Sequence, residues 1–138
     1  MNDQLFQLDE VQLWRAGAVT LPTAANRFTY ASGQVHRSAA YEDAVFSGLG
    51  GELATLKAAW TGLRNELQDN VLNATYNNLV KAGEALIDVA EMAAETDGGN
   101  ASKLNEAKEL LENDEVSGNR PPAPFDPPPS SDDPAPPA

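Results

Sequence analysis

The sequence lacks cysteine and has only one histidine and two tryptophans among its 138 residues. Without cysteine there can be no disulfide, no thiolate metal site and no cysteine nucleophile. Basic residues are also scarce, since 9 lysines and arginines stand against 21 acidic residues and give a net charge of −12. This charge argues against nucleic acid or an anionic membrane surface as the main partner. No apolar run approaches the length of a membrane span, so we expect none.

Groups that could carry catalysis are equally sparse. His36 is the only histidine, and its place near the predicted end of a helix is more typical of a surface or helix-end residue than of a catalyst. Acidic pairs fall at helical spacing on polar faces, without the Glu-x-x-His pattern of metal sites in helix bundles. These pairs are Glu84 with Asp88 and Glu91 with Glu95. We therefore expect no enzyme activity, no catalytic residue, no metal and no cofactor.

The pattern that organises the chain is an apolar stripe between Leu49 and Asp97. Its first half, in alternating steps of four and three, comprises Leu49, Leu53, Leu56, Trp60, Leu63 and Leu67. Two steps of four, to Val71 and Thr75, then shift the register. The stripe resumes at Leu79, Ala82, Leu86, Val89 and Ala93. This spacing predicts one helix, roughly 70 Å long if continuous, which must lay its stripe along another long helix.

A first helix is predicted over about residues 9–37. Asp9 followed by Gln12 has the form of a capping box at its start. Pro22 falls inside the helical pattern and removes one backbone hydrogen bond, so the sequence allows either a kinked helix or two helices that meet there. Residues 38–51 contain three glycines and predict the turn. A connection this short makes the two long helices antiparallel neighbours.

We therefore predict an all-α protein, an antiparallel helix-turn-helix hairpin over residues 1–97 with helices at about 9–37 and 49–97. Residues 98–116 are predicted to be a linker with a short amphipathic helix. Its apolar face carries Leu104, Ala107, Leu110 and Leu111. Residues 117–138 are acidic and hold nine of the ten prolines. This composition predicts a disordered spacer with polyproline II character.

A two-helix hairpin buries only part of its apolar faces, so this architecture predicts a helical partner. Trp14 in the first helix is a candidate to pack against the far part of the second helix. The predicted partner interface comprises Leu53, Leu56, Trp60, Leu63 and Leu67. Pairing with a second hairpin, either a copy of this chain or a paralogue, would form a four-helix bundle.

Two motifs on the long helix point to a family. Trp60, Thr61 and Gly62 have the form W-x-G, and residues 78–97 read NLVKAGEALIDVAEMAAETD. Together they resemble the small helical-hairpin proteins of the type VII (ESX) secretion systems of actinobacteria, the WXG superfamily and its EspC-like relatives. The residues that carry this resemblance are Trp60, Gly62, Leu79, Gly83 and Leu86. The family's secretion signal, Tyr-x-x-x-Asp/Glu, is degenerate here because Ala93 takes the tyrosine position, whereas Asp97 fits the final acid.

The resemblance implies a non-enzymatic protein that pairs with itself or a paralogue and contacts the secretion machinery. It also implies export in folded form without a cleaved signal peptide, from a cytoplasmic pool. The N-terminus has neither a basic start nor an apolar core, so we expect no Sec signal peptide. Because Ala93 replaces the tyrosine, the protein either depends on its partner for the signal or is not a substrate. The alternative function is a cytosolic adaptor or chaperone-like scaffold whose proline-rich tail docks in an aromatic groove.

Overall fold

A computed structural model describes residues 9–47, 50–96, 101–116 and 127–137. Every secondary-structure element within these ranges is helical. The predicted all-α class is therefore confirmed for the described part of the chain.

The N-terminal half is one nearly continuous helical stretch. Helix α1 spans Glu10–Arg15, a π-helical turn follows at Ala16–Thr20, and helix α2 spans Leu21–Ser38. Asp9 caps α1 as predicted, because its carboxylate accepts a hydrogen bond from the N–H of Val11 at 3.0 Å. This cap satisfies one of the backbone donors that every helix start leaves free.

The π-helical turn settles the two readings of Pro22. The N–H of Leu21 donates to the carbonyl of Ala16, five residues back, so the helix widens directly before the proline. Proline has no N–H to donate, and a wider turn accommodates the lost bond without ending the helix. The chain therefore stays helical through Pro22 instead of breaking into two helices there.

Helical structure also continues further than the predicted end near Arg37. A 3₁₀ turn at Ala39–Tyr41 and helix α3 at Glu42–Phe46 follow α2 directly. Two acidic residues in the first turn of α3 favour this helix start, because they interact well with the helix dipole. The predicted turn over residues 38–51 is thus helical up to Phe46, and Gly50 opens the next helix with a positive φ of 33°.

The long second helix is present as predicted, with one irregularity. Helix α4 spans Gly50–Glu66, a π-helical segment spans Leu67–Asn73, and helix α5 spans Ala74–Thr96. The π-helical segment coincides with the two steps of four in the sequence, where the apolar register shifts. Helix α6 spans Ala101–Val116 and is longer than the short helix expected there.

The chain forms two compact units. The first comprises Met1–Ala24 and Leu79–Pro124, and the second comprises Ala25–Asn78 and Phe125–Ala138. Helices α2 and α5 each contribute residues to both units.

The core of the first unit is built around Trp14. Its buried members are Trp14, Ala90, Ala94, Leu104 and Ala107. Trp14 thus packs with the C-terminal part of α5, as predicted, and α6 closes the same cluster. Lys108 on α6 also forms an ion pair with Glu91 on α5 at 2.6 Å.

In the second unit, the helical segments on either side of residues 48–49 are joined by polar pairs. His36 contacts Gln68, Glu42 contacts Arg64, and Asp43 contacts Lys57. Because the partner's number falls as the first number rises, the paired segments run in opposite directions. The antiparallel hairpin over the whole of residues 1–97 stays a prediction.

The proline-rich tail differs from the prediction of a disordered spacer. Residues 129–134 lie in the second unit and are hydrogen-bonded to it through Pro129, Ser131 and Pro134. Polar backbone groups of this segment bond to buried side chains of the helices, whereas those of a solvated spacer would bond to water. Residues 117–126 and Ala138 of the predicted disordered segment lie outside the described residues.

Candidate protein interaction site

The face of α4 that turns into the second unit is polar. Arg64 is buried and donates from Nε to the carboxylate Oε1 of Glu42, which is also buried. The other oxygen of Glu42 accepts a hydrogen bond from the hydroxyl of Thr61 at 3.0 Å. A buried charge needs such a partner, because its desolvation is costly when unpaired. The charged pair therefore fixes which side of α4 faces inward.

Because the polar side faces inward, the large apolar side chains of α4 and of the π-helical segment that follows it face outward. We call these residues the exposed stripe: Leu56, Trp60, Leu63, Leu67 and Val71. Trp60 is 45% exposed and Leu63 is 64% exposed. Four of the five predicted interface residues belong to this stripe, and the fifth, Leu53, is half-buried. The buried positions Arg64 and Gln68 each follow a stripe residue by one position.

Two shallow apolar cavities flank Trp60. One has a volume of ≈330 Å³ and lies between Trp60, Leu63 and Leu67 of the long helix and Val35 of α2. The other has a volume of ≈320 Å³ and is lined by Trp60 together with Tyr41, Val45 and Phe46. Trp60 thus lies between two cavities that can each receive an apolar side chain. An exposed aromatic side chain beside such cavities is typical of protein interaction sites.

The helical stretch that bears the exposed stripe, residues 50–73, has a low net charge. Over residues 50–73 the basic side chains are Lys57 and Arg64, and the acidic side chains are Glu52, Glu66 and Asp69, which gives a net charge of −1. Lys57 also forms an exposed ion pair with Asp43 of α3. The hydrogen bond from Lys57, together with its positive charge, lowers the pKa of the Asp43 carboxyl below its usual range.

The residues of the family resemblance occupy different environments. Gly62 is exposed, with open space where a Cβ would stand, whereas Gly83 is buried against the backbone of Gly17. Leu79 and Leu86 are half-buried. Ala93, at the tyrosine position of the secretion signal, is half-buried, and Asp97 lies outside the described residues.

His36 is buried, which corrects the expectation of a surface residue. Its ring lies between Gln68 and the carbonyl of Pro134, and the tail contact that buries it could not be anticipated from helical spacing. Of the acidic pairs, Glu84, Asp88 and Glu95 are exposed and Glu91 pairs with Lys108. Within the described ranges, no group of three His, Asp or Glu side chains is placed to hold a metal ion. None of the helices in the described part of the chain combines the length and apolarity needed to cross a membrane.

Sequence reasoning missed the polar residues that orient α4. Glu42 falls in the predicted turn over residues 38–51, but it lies in the first turn of α3 and pairs with Arg64. Its opposite charge to Arg64 across a hairpin is the signal in the sequence that could have identified this pair. Gln68 and Ser32 give no signal in the sequence, because single uncharged polar residues at helical positions are most often solvated.

Comparison of the chain with protein-family models, with curated proteins and with solved structures found no match.

Proposed function

We propose that this protein is a non-enzymatic interaction protein whose exposed stripe pairs with the same stripe of a second copy. The observation that carries this proposal is a row of five large apolar side chains left exposed along one face of the long helix. Monomeric proteins rarely expose contiguous apolar patches of this kind without a binding role. The spacing of four and three residues from Leu56 to Leu67 is that of helices that pair side by side.

The local charge supports a second copy as the occupant. The whole chain carries −12, but residues 50–73 carry only −1. Two copies can therefore bring their stripes together without strong repulsion between the helices that bear them. Trp60 and its two neighbouring cavities supply both the projection and the recesses that a self-complementary interface requires.

The proposed setting is type VII secretion, with export in folded form and the antiparallel hairpin as the exported unit. The support is the resemblance carried by Trp60, Gly62, Leu79, Gly83 and Leu86. Ala93 replaces the family's tyrosine in both copies of such a dimer, so export requires either another recognition element of this chain or a paralogue that carries the tyrosine. Export is tested by comparing culture filtrate and lysate from the native host with and without its type VII system. A protein found only in lysate, with the system intact, would contradict export and favour the cytosolic adaptor.

The pairing is tested by the native mass of the purified full chain, measured by light scattering after size exclusion over a range of concentrations. The variant Leu63→Gln removes an apolar contact at the centre of the exposed stripe. Leu110→Gln is the matched control, because Leu110 is 60% exposed against 64% for Leu63 and lies on α6 in the first unit.

The wild type and Leu110→Gln are expected to be dimers. About two thirds of a leucine side chain would be buried on each copy, which contributes about 1–2 kcal/mol per copy. Leu63→Gln should therefore raise the dimer Kd roughly 30- to 1000-fold. A wild type that stays monomeric at all concentrations, or a Leu63→Gln dimer as tight as Leu110→Gln, would refute the interface.

A further inference from the structure

Residues 129–134 of the C-terminal segment lie in a polar cleft of the second unit, and the carbonyl of Pro129 is at its centre. The carbonyl of Pro129 accepts hydrogen bonds from the side-chain amides of Gln68, at 2.8 Å, and Asn73, at 2.9 Å. Gln68 is fully buried at 0% exposure. A carbonyl oxygen has two lone pairs, so these two amides use its whole capacity.

A second layer of side chains orients both amides. Ser32 is also fully buried and donates its single hydroxyl hydrogen to Oδ1 of Asn73 at 2.6 Å, which leaves Nδ2 of Asn73 to face Pro129. The Ser32 oxygen lies 3.4 Å from the Pro129 carbonyl, but its hydrogen is already used. His36 orients the second amide, that of Gln68, because Nε2 of Gln68 lies 3.2 Å from Nδ1 of His36 and donates to it.

His36 extends the contact along the segment. Since Nδ1 of His36 accepts from Gln68, the ring hydrogen is assigned to Nε2, which lies 3.1 Å from the carbonyl of Pro134. The cleft therefore holds two proline carbonyls, at positions 129 and 134, through donors on Gln68, Asn73 and His36.

Asp69 binds Ser131, one of the four residues between the two prolines. One carboxylate oxygen accepts from the N–H of Ser131 at 2.9 Å, and the other accepts from the Ser131 hydroxyl. Within the segment, Asp133 accepts from the N–H of Ser130 at 2.8 Å and forms a tight turn there. Hydrogen bonds to a charged acceptor are among the stronger ones, so Ser131 fixes the register.

We infer that this cleft is a recognition site for a proline-rich segment with a turn at its centre, and that residues 129–134 occupy it as a ligand within the same chain. Proline suits such a site, because its carbonyl is a free acceptor and its stiff backbone loses little entropy on binding. The ligand is defined by a proline carbonyl, a serine two residues later and a second carbonyl three residues after that. With the segment in place Gln68 is fully buried, and its Nε2 donates to Pro129 and His36 as a buried donor requires, whereas its Oε1 has no hydrogen-bond partner among the described residues.

The contact between the segment and the cleft is made mainly by polar groups, so a free peptide of the same sequence can replace the segment. Asp132, Asp133 and Pro134 are exposed although the Pro134 carbonyl is engaged. A tethered segment has a high effective concentration, so a free peptide competes poorly with it. An exchange experiment therefore needs a chain whose own segment is disabled and whose cleft is intact.

The variant Ser131→Pro meets this need in the full chain, because proline removes both donors to Asp69 and leaves every cleft residue in place. The synthetic peptide of residues 127–138 is titrated into this isotope-labelled variant. The side-chain amide NMR signals of Gln68 and Asn73 report on occupancy. They should shift and saturate with the wild-type peptide, and should shift far less with a peptide that carries the same Ser131→Pro change. If the wild-type peptide leaves both signals unmoved at millimolar concentration, the cleft is not a recognition site.

Hydrogen exchange of the full wild-type chain gives a second readout. The Ser131 amide should be protected, and Asp69→Ala should raise its exchange rate by about tenfold or more. Asp88→Ala is the matched control, because it removes an equally charged carboxylate from the first unit and should leave that rate unchanged. A Ser131 amide that exchanges as in a free peptide would show that the segment does not dock.

Discussion

In the first unit, the backbones at Gly17 and Gly83 lie too close together for a Cβ on either residue, whereas Gly62 has open space around it, and this contrast predicts different effects of alanine at these positions. A Cβ added to Gly17 would lie 2.4 Å from the carbonyl oxygen of Gly83, and also 3.0 Å from Cγ1 of Ile87. A Cβ added to Gly83 would lie 2.8 Å from the carbonyl oxygen of Gly17. Both nearest atoms belong to the backbone, so no side chain can move aside to relieve the contact.

Two opposing terms set the magnitude. Alanine is a better helix former than glycine by about 0.5–1 kcal/mol, which favours each substitution. Forcing helix backbones apart costs typically 1–3 kcal/mol, and the Gly17 contact belongs at the upper end because it is the shorter one. The net expectation is a loss of about 1–2 kcal/mol for Gly17→Ala and about 1 kcal/mol for Gly83→Ala. Gly62→Ala meets nothing within 4 Å and should gain about 0.5–1 kcal/mol.

The assay is urea unfolding of the full chain, followed by far-UV circular dichroism for all three variants. In a Trp60→Phe background, the remaining fluorescence comes from Trp14, which belongs to the core of the first unit. Gly17→Ala and Gly83→Ala should lower the midpoint of the Trp14 transition. If either variant matches the stability gain of Gly62→Ala, the close helix contact does not exist and the structural role of Gly83 is wrong.

Two further predictions concern the polar contacts of the second unit. Glu42→Ala leaves Arg64 buried without its counter-ion and should cost about 3 kcal/mol, measured by urea unfolding followed by far-UV circular dichroism. Adding Arg64→Met should recover part of the loss, and a double variant no more stable than the single one would contradict the pairing. Lys57→Gln should return the Asp43 carboxyl to its usual pKa in an NMR titration, because Lys57 lowers that pKa. The stabilising effect of this ion pair is present above the unfolded pKa of Asp43 and is lost as the pH falls through its lower folded pKa, so an unchanged titration in Lys57→Gln would refute the contact.

The helices were predictable from the sequence because their signals are local. Asp9 predicted the start of the first helix, and the helical spacing of apolar residues after Leu49 predicted the second. The two steps of four after Leu67 marked the place of the π-helical segment Leu67–Asn73. Trp14 was a candidate to pack against the far part of the second helix, and it lies in the core of the first unit with Ala90 and Ala94.

The orientation of the long helix was not predictable in the same way. Hydrophobic periodicity predicts that the apolar stripe packs on another helix, either in this chain or in a partner, and does not choose between the two. In the second unit α4 buries Arg64 and the adjoining π-helical segment buries Gln68, while Leu63 is left outside. That arrangement depends on Glu42 and Pro129, which are distant in sequence and whose contacts no local pattern encodes. The contacts of residues 129–134 were not predictable for the same reason, because composition measures the tail's lack of apolar surface and carries no information about a cleft that offers donors.

The polar interior and the exposed stripe have a common cause. Arg64 and Gln68 are buried with partners in Glu42 and Pro129, but Nη1 of Arg64 and Oε1 of Gln68 have no hydrogen-bond partner in the part of the chain that the structure describes. Such interactions contribute little net free energy to folding. The second unit therefore draws less stability from its interior than one with an apolar core would. The apolar surface that could supply the difference lies on the outer face of the same helix, at Trp60 and Leu63. Pairing of two copies through that face would bury it, so association and folding of the second unit are expected to support each other.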